Sequence, residues 1–187
     1  MLTAHPSPLE LRIFHALNFD GGPFLDGLAR AVSSYAFGFV VAAVLLALGL
    51  RRWRAAFAVG FAVALALSDF VGSHVLRPLI GRQRPCYALP PSAVRWIGAA
   101  ADVGSMPSLH AANFFAMAVL AATIDRRLAA PAFAIALAVA LSRVYLGVHW
   151  PADIVAGAAW GAVAGLLGRA AIRSIAARRA ASSPHAR

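Results

Sequence analysis

Five stretches of about twenty mostly apolar residues leave this chain of 187 residues few ways to fold. They run from about Leu28 to Leu50, Ala55 to Leu76, Ser108 to Asp125, Leu128 to Leu146 and Pro151 to Ile172. Apolar residues make up 61% of the chain and charged residues 13%, against ~45–50% and ~25% in soluble domains. A soluble domain of this size exposes too much of its chain to hide so much apolar surface. Disorder is excluded by the same numbers, and the single cysteine, Cys86, leaves no disulfide framework. The expected fold class is all-α: a polytopic membrane helical bundle of about five transmembrane helices, with room for a sixth, forming one domain over 1–187.

The ends differ from the middle. Within 1–27, Leu11, Ile13, Phe14 and Leu17 give an apolar face at helical spacing. The segment is too short and polar to span, so an N-terminal helix lying in the interface is expected. At the other end, 176–187 reads as a flexible basic tail. In the fifth span Gly157, Gly161 and Gly165 recur every four residues, a stripe that lets helices approach closely.

The net charge of +10 comes from 17 basic residues, all of them arginine, and 7 acidic ones. Numbering the sides by the span ends places Arg51, Arg52, Arg54, Arg126, Arg127, Arg169, Arg173, Arg178, Arg179 and Arg187 on one side. Arg12, Arg30, Arg77, Arg82, Arg84, Arg95 and Arg143 fall on the other. The richer side is expected to be cytoplasmic, so the poorer one faces the periplasm or exterior of a bacterial inner membrane. Charge placed this way is a topology signal and does not call for nucleic acid as a partner.

On the poorer side three segments converge. Arg77 to Pro85 lies where the second span leaves the membrane, Pro107-Ser108-Leu109-His110 where the third enters, and Ser142 to Asp153 bridges the fourth and fifth. Three arginines, two histidines and a carboxylate at one depth make a site for an anion. Arg77, Arg84 and Arg143 offer bidentate, permanently charged donors suited to phosphate oxygens. His149 and Asp153 are four apart, so the carboxylate can fix the tautomer of the ring and leave its other nitrogen free as a nucleophile. His110 can act as general acid. Ser108 and the adjoining N–H groups sit at a helix start, a natural phosphate cradle. Two histidines could ligate zinc, but three arginines would repel a dication, and no His/Cys/carboxylate set has metal-ligand spacing. No metal or cofactor is expected.

These segments resemble the signature of the type 2 phosphatidic acid phosphatase superfamily of membrane lipid phosphatases: Lys-x6-Arg-Pro, Pro-Ser-Gly-His and Ser-Arg-x5-His-x3-Asp. The resemblance covers Arg77 to Asp153. It implies that His149 attacks phosphorus to form a phosphohistidine, that Asp153 supports it, and that His110 protonates the departing alcohol. Arg77, Arg84, Arg143 and Ser108 would hold the phosphate without a metal. Two positions depart from the signature: Arg77 stands for lysine and Leu109 for glycine. Leu109 would narrow the pocket and bears on whether water or an alcohol accepts the phosphoryl group. The implied partner is a lipid phosphate in the membrane, such as undecaprenyl pyrophosphate, a phospholipid phosphate or a lipid A phosphate. Rival readings are a phosphotransferase and a non-catalytic lipid-phosphate binding or transport protein.

Three further residues are candidates for a supporting role: Leu109, His74 one turn before Arg77, and Asp69. A carboxylate within a span is costly and usually paired, and Asp69 is placed either to brace an arginine or histidine or to reach a polar bundle interior. Arg82 and Arg95 read as loop charges directed to solvent.

Overall fold

The computed structural model describes residues 5–100 and 104–182, which are mostly helical and contain no strand. Two short helices, α1 (Pro8–Leu17) and α2 (Gly22–Val32), precede the first long one, α3 (Tyr35–Trp53). A continuous rod follows: α4 (Ala55–Leu65), a π-helical stretch (Ala66–Leu76) and the single turn α5 (Arg77–Ile80). After the short α6 (Pro85–Ala88) come α7 (Leu109–Ile124), α8 (Ala129–Tyr145) and α9 (Pro151–Ala181). Among the described residues four segments are long and apolar enough to cross a membrane: Tyr35–Trp53, Ala55–Ala88, Arg126–Tyr145 and Pro151–Ala181. The chain is an integral membrane protein built as an all-α bundle.

The expected third span differs from the other four. With 16 residues, α7 is roughly 24 Å long, short of the ~30 Å hydrocarbon core. It packs against α3, α4, the π-helical stretch, α8 and α9, so its surroundings are protein on most sides. Ala111, Ala112, Phe114 and every residue from Ala116 to Ala121 are buried. A helix sheathed in this way has no lipid thickness to match.

Three expected boundaries also move. The first span breaks at Ser33-Ser34 rather than running on from Leu28. The Ser34 hydroxyl accepts the Phe37 N–H at 3.2 Å and caps α3. The second span does not break at Arg77-Pro78. Pro78 has no N–H for an α-helical ladder, but here the ladder ahead of it runs five residues back, Arg77 N–H to Gly72 carbonyl, and the rod carries on to Ile80. The tail expected from 176 is helical to Ala181, as the last turns of α9, while 183–187 lie outside the described residues.

The glycine stripe meets α7. A Cβ on Gly161 would stand 2.0 Å from the Ala112 carbonyl oxygen, and one on Gly157 2.4 Å from that of Ser108. Only hydrogen fits there, and the backbones of α7 and α9 touch. At the same end of the bundle α1 packs on α8 and α9. Phe14 of α1 is fully buried beside Trp150, with ring centroids 5.1 Å apart.

Candidate active site

The turn from α8 into α9 is tight because Gly147 adopts φ +78, a conformation that favours glycine. It delivers His149 and Trp150, both about 1% exposed, to the start of α9. Pro151 opens that helix, where its missing N–H costs nothing. Asp153, two positions further and fully buried, accepts the Trp150 N–H at 2.8 Å in the manner of a helix-start carboxylate. The same carboxylate accepts from His149 Nδ1 at 3.2 Å. That bond fixes the proton on Nδ1 and leaves Nε2 as the ring's acceptor. Arg84 Nη1 lies 2.9 Å from Nε2 and also donates to the Val148 carbonyl at 3.0 Å. Burial pushes the imidazole down to about 3, with Asp153 opposing the shift and Arg84 and Arg143 adding to it. His149 is therefore neutral at any ordinary pH, with its lone pair aimed at a cation.

In front of Nε2 lies a cavity of about 710 Å³. Arg77, Arg84 and Arg143 supply its charged lining and His110 and His149 its imidazoles, with Asp69 and Asn113 further along. Tyr35, Phe39 and Phe70 supply an apolar wall and are themselves exposed on the outer surface of the helices. Each arginine is tethered through part of its guanidinium. Arg77 Nε donates to the Pro107 carbonyl at 3.2 Å, and Arg143 Nη1 donates to the Ser33 hydroxyl, while Arg143 Nε is buried with no partner among the described residues. His110 is held through Nε2 by the Ser33 carbonyl at 3.2 Å and has Tyr35 5.9 Å from its ring.

The structure thus brings Arg77, Arg84, Arg143, His110 and His149 together around one volume, with Asp153 directly behind His149. Ser108 lies elsewhere. Its N–H donates to the Asp153 carbonyl at 3.0 Å, its own carbonyl lies against Gly157, and its hydroxyl is buried with no hydrogen-bond partner among the described residues. Leu109 lines the cavity and leans on Gly72. Asp69 does not brace an arginine or histidine: it accepts from Asn113 Nδ2 at 3.0 Å, and Asn113 in turn accepts from Ser68 at 2.5 Å. His74 is outside the cavity, exposed, stacked on Phe70 at 4.4 Å and bonded to Ser73.

Arg82 and Arg95 do not behave as loop charges. Arg82 is 3% exposed and ion-paired with Asp153 at 2.9 Å and with Glu10 of α1 at 2.6 Å. Arg95 pairs with Asp26 at 2.5 Å and Asp20 at 3.0 Å. Ser105 donates its hydroxyl to Asp153. The one signal for Arg82 in the sequence was its place two residues before Arg84.

Residues 56–175 match the model of the PAP2 superfamily. The chain belongs to the PAP2 superfamily. The resemblance carried by the three segments is borne out, and all three lie inside the PAP2 match, whereas α1 and α2 precede it. The PAP2 chain is 30% identical over 170 residues to the lipid A 4'-phosphatase of Bacteroides thetaiotaomicron, covering 86% of this chain and 76% of that one. It is 34% identical over 166 residues to the putative undecaprenyl-diphosphatase YbjG of Escherichia coli K12, covering 86% and 79%. Its fold is that of the crystal structure of Aquifex aeolicus LpxE, with a TM-score of 0.72 at 23% identity over 87% of this chain and 95% of that one.

Proposed function

We propose that this protein is a membrane lipid phosphatase that removes a phosphate from a lipid phosphomonoester or pyrophosphate through a phosphohistidine on His149. The observation that carries the reading is the neutral, buried His149, held by Asp153 on one nitrogen and aimed with the other into a cavity ringed by Arg77, Arg84 and Arg143. The place that Arg84 Nη1 fills, in line with Nε2, is where a phosphoryl group has to sit.

In the first step Nε2 bonds to phosphorus as the bond from phosphorus to the lipid oxygen breaks, and His110 gives that oxygen a proton. The Nδ1 proton stays in its bond to Asp153, which stabilises the cationic ring. In the second step water attacks phosphorus and passes a proton to His110. The nitrogen–phosphorus bond breaks, its electron pair returns to Nε2, and inorganic phosphate leaves. The three guanidiniums stabilise charge on the equatorial oxygens in both steps. The apolar wall of Tyr35, Phe39 and Phe70 suits a lipid tail, and the relatives acting on lipid A and undecaprenyl pyrophosphate favour a lipid of the bacterial envelope. Arginine counting supports an outward-facing site, with the C-terminal end of α9 in the cytoplasm.

The test is phosphate release by purified protein across a panel of lipid phosphates and pyrophosphates, with and without EDTA and with and without small alcohols. Release from at least one lipid is expected, with loss of about six orders of magnitude in His149→Ala, the scale on which removal of a covalent nucleophile acts. Phospho-alcohol formed in place of phosphate would reassign the protein as a transferase. Unchanged turnover in His149→Ala would remove the nucleophile assignment.

A further inference from the structure

Arg82 sits between two carboxylates of very different standing. On one side its Nη1 donates to Asp153 Oδ1 at 2.9 Å, the carboxylate behind His149. On the other its Nη2 donates to Glu10 Oε2 at 2.6 Å, a residue of α1, 72 positions away in sequence. Glu10 follows the α1 cap Ser7 at the third helical position, where such a residue commonly folds back onto its own helix start. Here it reaches outward instead. Its second oxygen, Oε1, accepts the Ala152 N–H in the first turn of α9 at 3.0 Å. Trp150 closes the assembly: Arg82 lies over its ring at 5.5 Å, its indole N–H donates to the Gln83 carbonyl at 2.8 Å, and Phe14 of α1 packs on it.

Resting on the phosphatase reading, we propose that Arg82 and Glu10 are positioning residues of the reaction. Arg82 clamps the free oxygen of Asp153 and Glu10 clamps Arg82, so the N-terminal helix α1 sets the orientation and charge of the carboxylate that holds His149. Two features separate this from ordinary surface pairing. Arg82 and Asp153 are 3% and 0% exposed, so the pair is shielded from solvent and salt. The clamp also uses both ends of the guanidinium fork on two different helices, geometry that lysine cannot reproduce.

Neither residue touches the cavity, so their loss acts through Asp153. Arg82→Gln is expected to lower kcat about 10- to 100-fold, the scale on which a histidine loses its function when the partner behind it is removed from a metal site. KM should stay within a few-fold because the phosphate-binding arginines are untouched. Arg82→Lys keeps the charge but reaches one carboxylate only, and should recover part of that loss.

Glu10→Gln supplies a readout that a purely structural contact would not move. The charges facing His149 are Asp153 from α9, Arg84 ahead of α6, Arg143 from α8 and Arg77 from α5, with His110 opposite on α7 and Arg82 behind Asp153. Removing the Glu10 charge leaves this set one unit more positive. The acid limb of the kcat profile should therefore move to lower pH by about half a unit. Titration of the substrate is common to both enzymes and cancels in the comparison.

Phosphate release by wild type, His149→Ala, Arg82→Gln, Arg82→Lys and Glu10→Gln would be measured in one detergent, with thermal unfolding of each. No release by wild type from any lipid phosphate would sink the phosphatase reading itself. Active wild type, inactive His149→Ala, and Arg82→Gln and Glu10→Gln with wild-type kcat and pH profiles would overturn the clamp alone. If Arg82→Gln does not fold, the Glu10→Gln profile decides: a shifted acid limb supports the clamp, and an unmoved one overturns it.

Discussion

The two ends of this bundle carry the same side chain to opposite purposes. At the end holding the cavity, Arg82, Arg84 and Arg143 are buried to 7% exposure or less, and each is tethered to a named atom of another element. At the other end Arg51, Arg52, Arg54, Arg126, Arg127, Arg173, Arg178 and Arg179 are exposed. A guanidinium taken out of water is costly unless its donors find acceptors, so the buried set needs an elaborate scaffold. The exposed set needs only a helix end. Number of arginines therefore says little about function. What matters is how many protein atoms hold each one.

This contrast can be broken by mutation. Removing a cavity arginine should have the largest effect. Arg84→Ala or Arg143→Ala is expected to cost about 10²–10³ in kcat, as with the loss of one transition-state donor, measured by phosphate release. Next comes the contact that fixes the cavity end to the bundle. Gly161→Ala places a Cβ against the Ala112 backbone and should destabilise by about 1–3 kcal/mol, read as a lower midpoint of thermal unfolding in detergent.

A smaller effect is expected at the rim. The hydrogen bond from Arg95, followed by that from Tyr145, holds the Asp26 carboxyl below its ordinary value of 3.8. A lowered folded value means that the unfolded chain takes up protons first. The stability from this pair is thus full above about pH 4 and is lost as pH falls through the lowered value. Arg95→Gln should flatten the fall in unfolding temperature between pH 5 and 3, conditions chosen to span that window. Least affected should be the opposite end: Arg126→Gln with Arg173→Gln is expected to leave turnover within about twofold. A loss comparable to that of Arg84→Ala would erase the distinction between the ends.

Much of this was legible in the sequence because the informative signals are local. Apolar length gave the spans, and Arg77, Arg84, His110, Arg143, His149 and Asp153 stand in short segments at loop ends, where topology alone brings them to one depth. What escaped was of two kinds. Glu10, Ser33, Arg82 and Ser105 act through partners 48 to 110 positions away, and no periodicity reports such pairs. Arg82 looked like a loop charge because burial of a charge is decided by the partner, not by the residue. The second kind concerns helix ends. Ser33-Ser34 interrupts an apolar run that composition reads as one, and the π-helical ladder takes the rod through Pro78. Asp69 shows the limit of reasoning by spacing. It is two α-turns before Arg77, but the intervening ladder is not α-helical, and its partner is Asn113 on a neighbouring helix.

The main-chain bond from Ser108 N–H to the Asp153 carbonyl has a consequence for life in a bilayer of variable thickness. It joins the first turns of α7 and α9, the two helices whose starts carry His110 and His149, directly above the stripe where their backbones touch. Hydrophobic mismatch is met by tilting and sliding helices against one another. Such motion would stretch any site whose two halves rode on independently anchored helices. Here the two residues proposed as proton donor and nucleophile belong to one laced pair, and α7 does not itself match the lipid. Changes in membrane thickness are left to the outer helices, and the spacing between the two histidines is insulated from the composition of the membrane around them.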